Sequence, residues 1–429
     1  MISYLLTSLK QSKNVHMAKK VTIIGSGIVG ICSALSLLEK GFEVEMIDRN
    51  PPAEGASSGN AGVISPWTCI PQSMPGIWKN VPKWIVDPEG PISIRPGYLL
   101  KFMPWALKFL RSGNVDRLQA IGDAMSALNR PNVDLYRCHL NGTGSEHLVS
   151  DSVYVHAYKK PAGANLSHLG WRLRQERDVP MEVVNAGELQ EIEPAISKDY
   201  KAAVIIKDQA RALDPGAIGK VLAEKAMSLG ATFRQVTINK ITPGDNGSWT
   251  LDTDQGELKA EKLIIAAGAW SARLLESLGV KVPLEAERGY HLVFQNPGVT
   301  VNNSIMDTEG KFVVSSMLAG VRCAGTAEFA GLDAEADYRR AHVFKRMVKR
   351  LLPDINIDDT KEWSGIRPSF PDSLPCIGNV PGYENLFTAF GHSHYGFGMA
   401  PNTGRVVAGV VSGEPVNIDL APYSITRFQ

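Results

Sequence analysis

Val21-Thr-Ile-Ile-Gly25-Ser-Gly27-Ile-Val-Gly30 opens the stretch that decides the fold. Residues 21–24 are a short apolar run rich in β-branched side chains, which suits a buried strand. Residues 31–40 then show helical spacing and stop at Gly41, the residue type that most easily takes the left-handed turn after a helix. Residues 44–47 form a second apolar run ending at Asp48. Strand, glycine turn, helix and strand together predict a parallel βαβ unit.

Within it, Gly25, Gly27 and Gly30 form G-x-G-x-x-G. The pattern is weak alone, but here it follows a strand and opens a helix. Gly25 permits the tight turn, Gly27 lets the backbone approach a pyrophosphate, and Gly30 lets helix and sheet pack closely. The helix N-terminus offers free N–H groups and the positive end of its dipole to phosphate. Asp48 stands about 20 residues on, where a carboxylate accepts hydrogen bonds from ribose hydroxyls. Gly25, Ser26, Gly27, Ile28, Val29, Gly30, Asp48 and Arg49 are therefore the first cofactor-binding candidates. The fingerprint stands near the start of a long chain, and a second strand–glycine element, LIIAAGAWS at 263–271, lies far downstream. Both favour FAD, threaded through a whole domain, over NAD.

Bulk properties narrow the rest. A chain of 429 residues suggests two or three domains. A net charge of +1 gives no bulk electrostatic reason to bind nucleic acid. Five cysteines, Cys32, Cys69, Cys138, Cys323 and Cys376, are far apart and odd in number, which argues against a disulfide framework or zinc knuckle. A reducing, cytoplasmic compartment is expected. No run of about 18 apolar residues predicts a membrane span. Residues 1–16 make a poor signal peptide and read as a disordered extension before Met17.

Further along, 71–130 mixes prolines, Trp78, Trp84 and Trp105 with basic residues and reads as an irregular helical insertion. Its aromatic and basic stretch 77–111 is a candidate for peripheral contact with a membrane face. Asp214 and Pro215 start a helix that Gly230 ends. Residues 286–335 read as several strands, 339–352 as one basic amphipathic helix closed by Pro353, and 403–411 as a final helix. The expected architecture is α/β: a discontinuous Rossmann-like FAD-binding domain (17–80, 213–284, 361–429) and an α+β substrate domain with a mixed or antiparallel sheet (81–212, 285–360).

Taken together, GSGIVG with Asp48-Arg49, SSGNAGVISP (57–66), LIIAAGAWS (263–271), ERGYHLVF (287–294), WSGIRPSFPDSLPCIG (363–378) and FGHSHYGFGMAPNTGR (390–405) resemble the D-amino-acid oxidase-like superfamily of flavoenzymes. Within it they look most like the small-subunit family of bacterial D-amino-acid dehydrogenase. The resemblance implies that Ser58, Asn60, Ala61 and Gly62 lie near the flavin ring. It implies that Ile238, Ala267, Gly268, Trp270 and Gly365 belong to the cofactor site. Gly391, His392, Gly396, Phe397, Gly398 and Met399 would turn backbone N–H groups toward the flavin N1/O2 edge.

The arginine of the G-x-R-P motif, Arg367, would bind a substrate carboxylate, a role its planar fork suits. The competing reading is a structural salt bridge, with Asp372 as one candidate partner; Arg288 and Arg322 are the next candidates for the anchor. Tyr290 is a candidate to cover the substrate, and His394 and Tyr395 to stand near flavin or substrate. His392-x-His394 lacks carboxylate or cysteine neighbours in sequence, so no metal is expected. Two features depart from relatives: Pro51-Pro52 replaces a glycine doublet, and 365–371 holds no cysteine, so the FAD should be non-covalent.

The implied activity is oxidative deamination of an amino acid by hydride transfer from Cα to flavin N5, with a quinone or other acceptor regenerating the flavin. The alternatives are a secondary-amine oxidase or dehydrogenase, acting on hydroxyproline, proline or N-methyl amino acids, and a flavoprotein acting on tRNA, which the near-neutral charge disfavours.

Overall fold

The computed structural model describes residues 19–428. The expected extension at 1–16 lies outside them. Strand Lys20–Ile24, helix Ile28–Glu39 and strand Glu43–Asp48 form the βαβ unit read from the fingerprint. The two strands pair in parallel, with Ile24 opposite Ile47. Strand Lys262–Ile265 pairs in parallel on the other side. Strands Leu386–Phe390 and Thr232–Gln235 extend this sheet to either side, and Cys376–Asn379 closes one end antiparallel. The interiors of the three central strands are buried, with Val21, Ile23, Ile24, Val44, Met46, Ile47, Leu263, Ile264 and Ile265 as their apolar residues, as a parallel sheet covered on both faces requires.

A second sheet of ten strands carries the other half of the molecule. Its long strands Glu285–Phe294, Gly320–Phe329 and Thr360–Ser369 run antiparallel side by side. One face packs on helix Phe344–Leu351, whose Phe344, Met347, Val348 and Leu351 are buried in a shared core. A three-stranded antiparallel sheet, Ile238–Pro243, Trp249–Thr253 and Gly256–Ala260, completes the β structure.

Several local readings hold. Asp214 caps helix Pro215–Ser228 by accepting the Ala217 N–H at 3.0 Å, and Gly230 follows in a left-handed conformation. Others change. The basic helix is two, Arg339–His342 and Phe344–Leu351, meeting at Val343. The final helix runs Gly396–Ser412, beginning seven residues before the expected start at 403 and carrying Pro401 inside it. Its first turns are buried, and tertiary packing overrides the weak helix propensity of glycine and proline there.

Two segments also sit where their sequence does not place them. Thr360–Ser369, assigned to the cofactor unit from 361 onward, pairs along its whole length with Glu285–Phe294 in the ten-stranded sheet. Helices Val115–Asn129 and Asn132–Leu140, assigned to the substrate unit, bury Met125, Leu128, Tyr136 and Leu140 in the same core as helix Ile28–Glu39. Helix amphipathicity marks which face is buried, but not which neighbour buries it.

Candidate active site

The glycine turn is built by close approach. A Cβ on Gly25 would fall 2.3 Å from the Ala266 carbonyl oxygen, and one on Gly30 would fall 2.0 Å from that of Gly25. Neither position admits a side chain. Gly27 is different: a Cβ there meets only Ser57 Oγ, at 3.4 Å. It faces open cavity at the N-terminus of helix Ile28–Glu39, where no side chain caps the helix from within its own first turn. Ser57 Oγ accepts the Ile28 N–H at 3.0 Å from 29 residues away. Asp48 accepts the N–H groups of Ser26 at 2.8 Å and Asn50 at 3.0 Å. An ionised carboxylate has about four lone-pair sites, so two remain for a ribose. Ser26 Oγ is buried with no partner.

From this turn runs a single cavity of about 1320 Å3. One end is lined by Asp48, Arg49, Ile238 and Trp270, with the Arg49 guanidinium 3.8 Å from the Trp270 ring centre. Such a plane suits the flat, apolar-faced base of a dinucleotide. The middle is lined by Ser26, Gly27, Ile28, Val29, Ala267 and Gly268, and by Asn60 and Ala61 from the SSGNAG loop. The far end holds Gly365, Arg367, Tyr290, Gly391, His392, His394, Tyr395, Gly396, Phe397 and Gly398. The phosphate turn, the unpartnered Ser26 hydroxyl and the volume of the cavity fit FAD.

Four candidates do not line the cavity. Gly30 stands behind the turn. Gly62 packs beneath Met317 and the Ala212 carbonyl, Ser58 Oγ is turned to the Gly55 carbonyl, and Met399 is fully buried in the helical core.

The SSGNAG loop is pinned from the second sheet. Arg322 donates to the carbonyls of Asn60 at 2.6 Å and Ser58 at 3.2 Å. His291 Nδ1 lies 3.1 Å from the Gly59 carbonyl, and its ring stacks on Trp363 at 4.8 Å. Arg322 is thus engaged as a loop holder. Arg288 is also occupied, donating to the Ala334 carbonyl and lying 3.8 Å from Glu328.

Arg367 has a partner that is not Asp372. Its Nη1 donates to Glu287 Oε1 at 3.0 Å and to the Thr326 carbonyl at 3.2 Å. Asp372 instead pairs with Arg427 at 2.8 Å. Glu287 and Arg367 are directly opposite across two antiparallel strands, which puts both side chains on one face. Glu287 is 2 % exposed and also accepts the Ser369 hydroxyl at 2.7 Å and a very short contact from His394 Nε2. Burial alone would raise the Glu287 pKa, but His394, Arg367 and Ser369 outweigh it and hold the carboxyl well below its ordinary range. The guanidinium lies flat on Gly289, where a Cβ would come within 2.2 Å of Nη2. Nη1 is thereby taken, while no described residue accepts from Nη2 or Nε. A cation held on one edge and free on the other is a preorganised fork.

The remaining ring side chains are fixed. Tyr290 donates its hydroxyl to Glu328 at 2.5 Å and accepts the Asp337 N–H at 2.8 Å, and strand alternation turns its side chain to the sheet face opposite Glu287 and Arg367, where it packs in the core with Leu292 and Phe294. Tyr395 donates to the Ile70 carbonyl at 3.0 Å, and His392 Nε2 lies 3.0 Å from Thr403 Oγ1. Burial pushes His392 and His291 down to about 3, the latter with help from Arg322, so both are neutral near pH 7. The sequence reading missed Ser57, Glu287 and Ser369, although all three lie inside or beside the quoted motifs. What singles them out is a partner across a sheet or loop, which spacing does not reveal.

Comparison with known proteins agrees with this geometry. The family model for FAD-dependent oxidoreductases of the DAO type matches residues 20–410. A D-amino-acid oxidase of Bradyrhizobium diazoefficiens is 38 % identical over 418 residues, covering 96 % of this chain and 99 % of the relative. A D-amino acid dehydrogenase of the same organism is 29 % identical over 417 residues, covering 95 % and 99 %. Glycine oxidase from Geobacillus kaustophilus shares the fold, with a TM-score of 0.72 at 23 % identity over 96 % of this chain and 99 % of its own. A fingerprint turn closed to side chains at Gly25 and Gly30, a cavity large enough for a dinucleotide and a family match along nearly the whole length lead to one conclusion: this chain is an enzyme of the DAO family of FAD-dependent oxidoreductases.

Proposed function

We propose that this enzyme carries out the oxidative deamination of an amino acid, with Arg367 anchoring the α-carboxylate beside the flavin. The observation that carries the reading is the free edge of the Arg367 guanidinium, presented into the cavity by buried Glu287 and the flat surface of Gly289. A substrate carboxylate on that edge makes two parallel charge-assisted bonds. Bound FAD supplies the acceptor for the hydride leaving Cα, and the resulting imino acid takes up water to give a keto acid and ammonia. The residues position rather than exchange protons. Arg367 fixes the carboxylate, Tyr395 walls the substrate space, and His394 with Ser369 completes the donors that keep Glu287 ionised. Orientation of this kind supplies much of the rate in such reactions.

The names of the two Bradyrhizobium relatives support a D-amino acid as substrate. The test is anaerobic bleaching of the bound flavin by a panel containing both enantiomers of alanine, together with proline and hydroxyproline. Bleaching by a primary D-amino acid, with release of ammonia, is expected. Bleaching by proline or hydroxyproline alone would replace this reading with the secondary-amine one, and an unreduced flavin throughout would end it.

A second observation bears on the electron acceptor. In helix Leu99–Ser112, Phe102 and Trp105 face inward onto Ala327 and Phe329, while Leu99, Leu100, Met103, Leu107 and Leu110 face outward. Leu100 is 86 % exposed, and nearby Val86 is 79 % exposed. Lys79, Lys83, Lys101, Lys108 and Arg111 punctuate the same stretch. Among the described residues no helix is long and apolar enough to cross a membrane. We propose that this face lies on an anionic bilayer surface and that electrons pass to a quinone or other acceptor there. Each buried leucine contributes about 1.5–3 kcal/mol and each nearby cation about 1 kcal/mol. The protein should float with vesicles containing anionic lipid, and a Leu100→Asp, Leu107→Asp double variant should lose at least about tenfold in binding. A wild type that stays with the soluble fraction would remove the membrane from the account.

A further inference from the structure

We propose that Arg174 forms a second anion site in the substrate cavity, one that takes a carboxylate on the substrate's side chain, so that the preferred amino acid is dicarboxylic. The proposal rests on the amino-acid reading above and adds the class of side chain to it.

Arg174 lies in the short helix Leu169–Gln175 and lines the same cavity as Arg367. The arginines around the sheet end of the cavity are already engaged by the protein. Arg367 is matched by Glu287 and Arg288 by Glu328. Arg322 is absorbed by two loop carbonyls. The sequence neighbour of Arg174, Arg177, pairs with Asp123 at 2.7 Å. Arg174 has no carboxylate partner among the described residues. Its Nη1 reaches one carbonyl, that of Gly170 at 3.1 Å, and its Nε is buried with no partner. Burial lowers its pKa, the expected response of a cation taken out of water without a counter-charge.

The position has the parts of a site. The Arg174 guanidinium lies 4.7 Å from the Trp171 ring centre. His156 meets the same tryptophan edge-to-face at 5.0 Å, lines the cavity, and has its Nε2 buried with no partner. Two polar groups of one cavity wall, packed on one tryptophan, are therefore both unsatisfied. Burial holds His156 neutral, so it can offer a hydrogen bond without adding charge. Tyr395 and His394 line this same cavity, so the Arg174 wall and the Arg367 cluster share one space.

An unpaired desolvated guanidinium is costly, and removing a partner from such a pair typically costs several kcal/mol. The arrangement is stable in the complex if a ligand brings the missing negative charge. A monocarboxylic amino acid brings one carboxylate, and the free edge of Arg367 takes it. A second carboxylate, on the side chain, would occupy Arg174 and His156.

The experiment compares acid and amide substrates of equal size: aspartate with asparagine and glutamate with glutamine, each as both enantiomers, in anaerobic flavin reduction by wild type, Arg174→Gln and Arg174→Lys holoenzymes. The wild type should prefer the acid of at least one pair by about 30-fold or more in kcat/KM, the ratio for roughly 2 kcal/mol. Arg174→Gln should abolish that ratio while leaving turnover of alanine within about threefold and the flavin spectrum unchanged. Arg174→Lys should restore part of it, since a point charge replaces the fork. Because the readout is a ratio within one protein preparation, partial loss of stability does not mimic it.

No acid preference in the wild type, or an equal loss on alanine and on the diacids, would overturn the second site; the equal loss would make Arg174 an α-carboxylate anchor instead. Loss of FAD from Arg174→Gln would also overturn it, by assigning the residue to the cofactor. A wild-type flavin reduced by none of these amino acids would strike at the amino-acid reading itself, whereas reduction by alanine with no acid preference leaves that reading standing.

Discussion

Gly27→Val is expected to give a folded protein that purifies colourless. Position 27 has φ −70° and ψ 174°, which valine adopts without strain, and its Cβ would meet nothing closer than Ser57 Oγ at 3.4 Å. The fold therefore has no reason to object. The cofactor does, because the valine methyls occupy the approach to the helix N-terminus, where phosphate oxygens must come to the backbone N–H groups. Hydrogen bonds to a charged group contribute about 1.5–3 kcal/mol each, so losing two weakens FAD by about 100-fold or more. Gly25→Val and Gly30→Val would not separate these effects, since their Cβ atoms fall 2.3 Å and 2.0 Å from carbonyl oxygens and would disrupt the sheet–helix contact itself. The checks are the visible flavin spectrum after purification, FAD titration of the variant, and a thermal unfolding curve. A yellow Gly27→Val protein with wild-type FAD affinity would place the pyrophosphate elsewhere.

Arg367→Ala should keep its flavin spectrum and lose amino-acid oxidation. Truncating one partner of a desolvated guanidinium–carboxylate pair costs about 2–5 kcal/mol. At 1.36 kcal/mol per tenfold, that is roughly 30-fold or more in kcat/KM. Two contributions add here, because the variant also strips Glu287 of one of its three side-chain donors. Arg367→Lys should recover little: lysine restores the charge beside Glu287 but not the second, parallel bond to the substrate. The decisive comparison is an amine lacking a carboxylate, for which the loss should be much smaller. Near wild-type kcat/KM in Arg367→Ala would reduce the residue to a support for Glu287. Loss of FAD would move it to the cofactor site, and Arg174 would then be the cavity arginine left to hold the carboxylate.

The sequence by itself determined the cofactor half. Residues 21–48 specify a βαβ unit through local properties alone: strand-forming apolar runs, a glycine turn, and a run of helical spacing that stops at Gly41. Asp48 follows from strand length, and the cap at Asp214 from the adjacent pair Asp214-Pro215. Each signal is confined to a few neighbours in the chain, so each could be read without knowing what packs against it. Arg367 was likewise recognisable inside its motif.

Only the tertiary structure decided the rest. Whether the Arg367 charge is free or matched depends on Glu287, 80 residues away, which register alone places opposite it. The edge strand Thr360–Ser369 joins the second sheet because its backbone partners are there, and nothing within its own ten residues says so. Nothing in sequence sets Arg174 apart from Arg172 on the same helix; its lack of a carboxylate partner among the described residues is a property of the cavity wall. Charge compensation and burial are set by long-range contacts, and a side chain's chemistry in this site follows from which of its neighbours the fold supplies and which it leaves to the ligand.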